Sequence, residues 1–176
     1  MKHIEDTPWW ICDPEETNYC TYSDTDSIYM HAEPLLRHRH ENFDKMTAEE
    51  KDDALENIAM EYEGVVTKSY DKLAKDVFRS TEHRLEMKTE CVIRSAYFRA
   101  TRRYAQWITK QEGIKKETLD VKGLEFKKAN FPPVLGKFFK NALVDVLKGA
   151  TQKEIDDRLK IFKKQILDGT IPLTQL

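Results

Sequence analysis

The stretch Thr21-Tyr22-Ser23-Asp24-Thr25-Asp26-Ser27-Ile28-Tyr29-Met30 sets two carboxylates two residues apart among β-branched and aromatic neighbours. Its apolar flanks predict two short strands, with Ser-Asp-Thr-Asp-Ser as the tight turn between them. Such a turn would hold Asp24 and Asp26 at a sheet edge, where carboxylate oxygens can grip a hard divalent cation. The plainer reading is that both aspartates bond their own backbone and serve the turn itself. An EF-hand is excluded: counted from Asp24, its ligand, glycine and glutamate positions hold Ile28, Tyr29 and Leu35.

The chain has 176 residues, 40% of them hydrophobic and 34% charged, enough for one domain or for one domain and part of another. This composition fits a soluble chain that can fill a core. No apolar run approaches the roughly 20 residues of a membrane helix, and Met1-Lys2-His3-Ile4-Glu5-Asp6 lacks the apolar region of a signal peptide. Cys12, Cys20 and Cys91 are odd in number and without metal spacing, which points to reduced thiols in a cytoplasmic protein. The net charge of -2 hides an asymmetry. Acids dominate between Glu41 and Glu63, and bases between Arg94 and Lys140. A basic half on a near-neutral chain suits a polyanionic partner, although a solvated face would read the same way.

Residues 1–19 form a lead segment without periodicity. Its apolar knot, Trp9-Trp10-Ile11, is expected to cover the sheet or a surface of another chain. After the hairpin, Arg37-His38-Arg39-His40 reads as a solvated basic tract; His38 and His40 have no third ligand at a useful spacing. Thr47-Ala48-Glu49-Glu50 is a capping box. The helix it opens carries Leu55, Ile58, Ala59, Tyr62, Val65, Val66, Tyr70, Leu73 and Val77 as a core stripe expected to pack on a sheet, and it runs to about Phe78. From His83 the pattern turns to strands. Leu85, Met87, Thr89 and Cys91 alternate with charged residues, two strands and a turn follow over 94–108, and Glu112-Gly113 turns toward a last strand at 119–126. Pro132-Pro133 ends the sheet region. Two helices follow, the first stopped by Gly149 and the second opened by the capping box Thr151-Gln152-Lys153-Glu154. The class predicted is α+β, an antiparallel sheet with a long packed helix, followed by a small helical region.

Three signals fall in order: Asp24-Thr25-Asp26-Ser27, then Thr101-Arg102-Arg103-Tyr104, then Val121-Lys122-Gly123-Leu124-Glu125 with Lys127 and Lys128. The first resembles motif C of family B DNA polymerases, the second their Lys-Lys-Arg-Tyr element, and the third their Lys-Gly-Leu-Glu segment between palm and thumb. The resemblance spans residues 20–170 and is nearest to the bacteriophage enzymes. It implies a lead segment at 1–19, the C-terminal part of a palm at 20–126 and the beginning of a thumb at 127–176. It also implies DNA-directed nucleotidyl transfer with two Mg2+ ions. On the matched positions Asp26 is the principal metal ligand and Asp24 its companion, with Glu90 a weaker third carboxylate. Arg102, Arg103 and Tyr104 would meet primer phosphate or sugar, and Lys122, Lys127 and Lys128 would add DNA contacts without reading sequence. Ser23 stands where the family has Gly, and Thr101 where it has Lys. The motif A segment with the other metal Asp, the nucleotide-binding helix of motif B and the exonuclease carboxylates are absent from this sequence. The resemblance therefore implies one part of a split or truncated polymerase, inactive alone. Its partners would be primer-template DNA, deoxynucleoside triphosphate and a complementary chain carrying motifs A and B, in the cytoplasm of a host if phage-encoded. The alternatives are a non-catalytic DNA-binding module and an interaction subunit with a palm-like fold.

Overall fold

The computed structural model describes residues 19–127 and 131–171. The Trp9-Trp10-Ile11 knot and Cys12 lie outside the described residues. The chain divides into two compact units, one of residues 1–92 with 110–114 and the other of 93–109 with 115–176. The class is α+β, as expected.

In the first unit, β1 (Cys20–Asp24) and β2 (Ser27–Met30) form an antiparallel two-stranded sheet with Tyr22 opposite Tyr29 and Asp24 opposite Ser27. The two tyrosine rings lie 5.5 Å apart. The turn is tighter than the sequence implied: Thr25 and Asp26 alone form the loop, and Thr25 takes a φ of 55°. A β-branched residue rarely adopts that conformation.

The basic tract is a helix. α1 (Glu33–Arg39) has Pro34 in its first turn and Arg37, His38 and Arg39 in its last, a charge order that suits the helix dipole. Its arginines are paired rather than merely solvated: Arg37 bonds Glu33 at 2.8 Å and Asp44 at 2.7 Å, and Arg39 grips Glu61 with two bonds of 3.0 Å. A 3-10 turn, Phe43–Lys45, then leads to α2 (Ala48–Asp76). The capping box forms as predicted: Thr47 Oγ1 accepts from the Glu50 N–H, and the Glu50 carboxylate accepts from the Thr47 N–H. Donation to that carboxylate from the Thr47 N–H, and then from the Thr47 hydroxyl, holds the Glu50 carboxyl below its ordinary value.

The apolar stripe of α2 was expected against a sheet. Ala54, Ile58 and Tyr62 instead close over Ala32, Leu36 and Phe43, with Met30 of β2 at the margin. The reason is the unforeseen α1, whose Leu36 is 1% exposed and fills the place expected for strand residues. The opposite, acidic side of α2 is also occupied. Lys110 donates to Asp53 at 2.5 Å and to Glu56 at 2.6 Å, which fastens the tip of a hairpin formed far along the chain. The segment 83–90, read as a strand, contains none. The Thr89 N–H donates to Glu63 at 2.8 Å, the Met87 N–H to Thr67 at 3.4 Å, and His83 Nε2 lies 2.9 Å from Asp71. Side chains of a helix take the place of a neighbouring strand.

The expected single meander is two sheets. The second is antiparallel, with β3 (Cys91–Ala100), β4 (Arg103–Gln111) and β5 (Ile114–Lys122) in that order. Between β4 and β5 both Glu112 and Gly113 have positive φ, the signs of a type I′ turn. In the second unit Ala105 and Trp107 of β4 and Val121 of β5 pack with Leu143, Val144 and Leu147 of α3 (Pro133–Leu147). This contact groups α3 with the sheet. α4 (Gln152–Leu167) opens on its capping box. It pairs with α3 through Phe138 stacked on Phe162, centroids 4.1 Å apart, and through Arg158 with Asp145. Cys20 is exposed and Cys91 half-buried. Among the described residues no helix is long and apolar enough to cross a membrane.

The tether at Lys110 has a pH signature. Its bonds to Asp53 and then Glu56 outweigh burial, and its ammonium pKa is pushed up to about 12. The folded value is raised above the unfolded one, so the stabilisation is complete below pH ~10.4 and fades as pH rises through about 12. Because the carboxylates are partly exposed, about 1 kcal/mol is expected. Urea unfolding of the wild type and Lys110→Met should therefore differ by that amount at pH 8 and converge near pH 12. Equal stabilities at pH 8 would show that the tether is idle.

Candidate nucleic-acid and metal-binding residues

The residues singled out in the sequence fall in both units. In the first, Asp24 ends β1 and is half-buried, while Asp26 is the second residue of the two-residue loop and exposed. The Asp24 carboxylate accepts from Thr25 Oγ1 at 3.1 Å and weakly from the Tyr22 hydroxyl at 3.5 Å, and its carbonyl accepts from Ser27 Oγ. Asp24 thus does part of what turn aspartates ordinarily do. Asp26 makes no hydrogen bond or ion pair with the described residues. Its carboxylate stands on a loop held from both sides by paired strands. Glu90 lies just before β3, exposed, with its carbonyl accepting the Glu112 N–H at 2.8 Å.

Carboxylate oxygens are the donors that a hard cation such as Mg2+ takes, so the chemistry of Asp24 and Asp26 fits that ion. Among the described residues no three His, Cys, Asp or Glu side chains are gathered as a metal-holding group. Asp24 and Asp26 would be a partial ligand set.

In the second unit, the two basic elements are brought together. Thr101 and Arg102 form the turn between β3 and β4, and Arg102 takes a φ of 59°. Only Arg103 is in β4, and Arg102 is in the turn before it. Twenty residues later Gly123 follows β5 with a φ of 65°, and a Cβ built on it would overlap the carbonyl oxygen of Arg102 and touch the Arg103 side chain. Only glycine allows that approach without strain. Arg103 lies 4.0 Å from Glu125, a pair half-exposed on both sides. Lys122 Nζ lies 5.7 Å from the ring centre of Tyr104, within the range of a cation–π contact.

Tyr104 itself is 4% exposed, and its ring packs 5.5 Å from that of Phe98. It forms a floor beneath Lys122, while Arg102, Arg103 and Lys122 are exposed. Phe98 escaped the sequence reading. Its signal was alternation, since Arg94, Ala96 and Phe98 share one face of β3. On that face Gln106 donates to Asp120 at 3.0 Å. Its Oε1 is the buried side-chain atom without a partner among the described residues. Lys127 closes a 3-10 turn, Glu125–Lys127; its side chain and all of Lys128 lie outside the described residues.

In comparison with known proteins, no family model matches this chain and no curated protein matches it.

Proposed function

We propose that this chain is one part of a DNA-directed DNA polymerase of the family B type, supplying a motif C hairpin and a primer-holding surface to a palm that another polypeptide segment completes. The observation that carries the reading is the seating of Gly123 against the Arg102 carbonyl. Two basic segments that are separate in sequence thereby become one exposed group, Arg102, Arg103 and Lys122, on a fixed backbone. Adjacent cations on a rigid turn suit consecutive phosphates, whose neutralisation binds DNA without regard to sequence.

Mg2+, when bound, would supply charge stabilisation for the attacking and leaving oxygens of phosphoryl transfer. Asp26, exposed on its tight loop, would be the principal ligand from this chain, with Asp24 beside it. Glu90 would be a peripheral carboxylate. Tyr104 supports Lys122 from below, and Glu125 orients Arg103. The missing metal-binding Asp and the nucleotide site belong to the complementary segment, so the chain alone is expected to be inactive. The alternative, a DNA-binding module without chemistry, shares the basic surface and differs at the carboxylates.

With the complementary segment present, Asp26→Ala should abolish primer extension while the thermal midpoint stays within a degree or so, because an exposed loop carboxylate adds little to folding. Asp24→Ala should cost less activity. Near-normal extension by Asp26→Ala would favour the non-catalytic module.

At the basic surface, Arg103→Ala and Lys122→Ala should each lower the salt slope of primer-template binding by about 1. Arg102→Gly separates charge from backbone. It should lower the slope by about 1 while raising stability by a few tenths of a kcal/mol, since Gly accepts positive φ. Unchanged slopes for all three would remove the primer-holding role.

Gly123→Ala should destabilise by more than about 1 kcal/mol, because Ala meets both an unfavourable φ and the Arg102 carbonyl. A midpoint lower by about 2–4 °C is the expected reading in thermal unfolding. An unchanged midpoint would mean that the two basic segments are not locked together.

A further inference from the structure

Thr25 stands in a backbone conformation that its own side chain disfavours. In the two-residue loop between β1 and β2 it has a φ of 55°, and Asp26, which follows, does not share the positive φ. A positive φ at the first central residue alone is the pattern of a type II′ hairpin turn, where that residue is ordinarily Gly. Threonine carries two heavy atoms on its Cβ, so it is among the residues that a positive φ strains most. Gly would close the same turn with less strain. Folding alone therefore gives no reason for threonine here, and local strain of this kind is a pointer to function.

The side chain supplies a reason. Thr25 Oγ1 donates to Asp24 Oδ1 at 3.1 Å, and the Tyr22 hydroxyl faces Asp24 Oδ2 at 3.5 Å. The Tyr22 ring is in turn placed by Tyr29 opposite it on β2, with centroids 5.5 Å apart. Ser27 Oγ donates to the Asp24 carbonyl at 3.1 Å. Both carboxylate oxygens of Asp24 are thus addressed by hydroxyls, one from the residue after it and one from its own strand. A hydroxyl is neutral, so it orients the carboxylate without cancelling its charge. Each carboxylate oxygen has two lone pairs, so one remains on each for a cation. β-branching leaves the Thr25 hydroxyl few rotamers, so the backbone sets its direction.

We propose that Thr25 is a positioning residue for the carboxylate pair: its strained backbone aims the hydroxyl at Asp24 and fixes that carboxylate beside Asp26. A divalent cation then meets one preset ligand next to one mobile ligand instead of two rotating carboxylates. The hairpin is less stable for it and better ordered at Asp24. The fixing of Asp24 stands on the geometry of the turn alone; its use toward a cation rests on the polymerase reading.

Three variants of the full chain test this. Thr25→Gly relieves the strain and removes the hydroxyl, Thr25→Val keeps the branched shape without the hydroxyl, and Thr25→Ser keeps the hydroxyl. Three-bond carbon couplings of Asp24 in NMR should report a single side-chain rotamer in the wild type and in Thr25→Ser, and rotamer averaging in Thr25→Gly and Thr25→Val. Thr25→Gly should also raise the thermal midpoint by about 1–3 °C. With the complementary segment present, the Mg2+ concentration for half-maximal primer extension should rise at least threefold in Thr25→Gly and Thr25→Val, and Thr25→Ser should restore the wild-type requirement. A single Asp24 rotamer in Thr25→Val, or a midpoint that does not rise in Thr25→Gly, would overturn the inference. If Asp26→Ala abolishes extension while Thr25→Val leaves the Mg2+ requirement unchanged, the positioning role falls and the polymerase reading stands. If Asp26→Ala extends primers normally, the polymerase reading falls, and the couplings alone decide whether Thr25 holds Asp24.

Discussion

The first unit depends on α2 having work on both sides. One stripe, Ala54, Ile58 and Tyr62, supplies the apolar core with α1 and Phe43. The other, Asp53, Glu56, Glu63, Thr67 and Asp71, supplies acceptors for an ammonium, two backbone N–H groups and a histidine. A helix of 29 residues is long enough to do both along its length. The acids also suit the positive end of the helix dipole, but dipole compensation alone does not account for Glu63 and Asp71, which lie well beyond the first turn. Their use as anchors for the 83–90 segment does.

The second unit depends on a different economy of backbone. β4 is buried at six consecutive positions from Tyr104 to Thr109, and α3 covers the face that carries Ala105 and Trp107. The residues around its start are fixed by turns rather than by core. Arg102 and Gly123 both adopt positive φ, and each needs the other's geometry. The basic group is therefore an outcome of two turns meeting, while the tyrosine between them is consumed by packing.

Features with a local cause were legible in the sequence. The capping boxes at Thr47 and Thr151, the stop at Gly149, the Glu112-Gly113 turn and the Asp-Thr-Asp hairpin are each specified by a few neighbouring residues. α1 was missed because seven residues give two turns, too few for periodicity to show, and its arginines read as solvent-facing charge. The segment 83–90 was misread because alternation records an extended backbone and two unlike faces, not the identity of what pairs with it. The Lys110 tether joins residues separated by 54 and 57 positions, a relation no local pattern encodes. Among the candidate site residues, the exposed placement of Asp26, Arg102, Arg103 and Lys122 follows from their turns and strand ends. The burial of Tyr104 depended on Phe98 across a turn.

The tether at Lys110 also governs how the chain can be cut. The first unit takes residues 110–114 from within a hairpin whose strands otherwise belong to the second. No single scission separates the two units. A truncation after residue 92 discards the cation that neutralises Asp53 and Glu56, and a fragment beginning at 93 carries a hairpin tip whose lysine has lost both carboxylates. The boundary is thus interleaved in sequence.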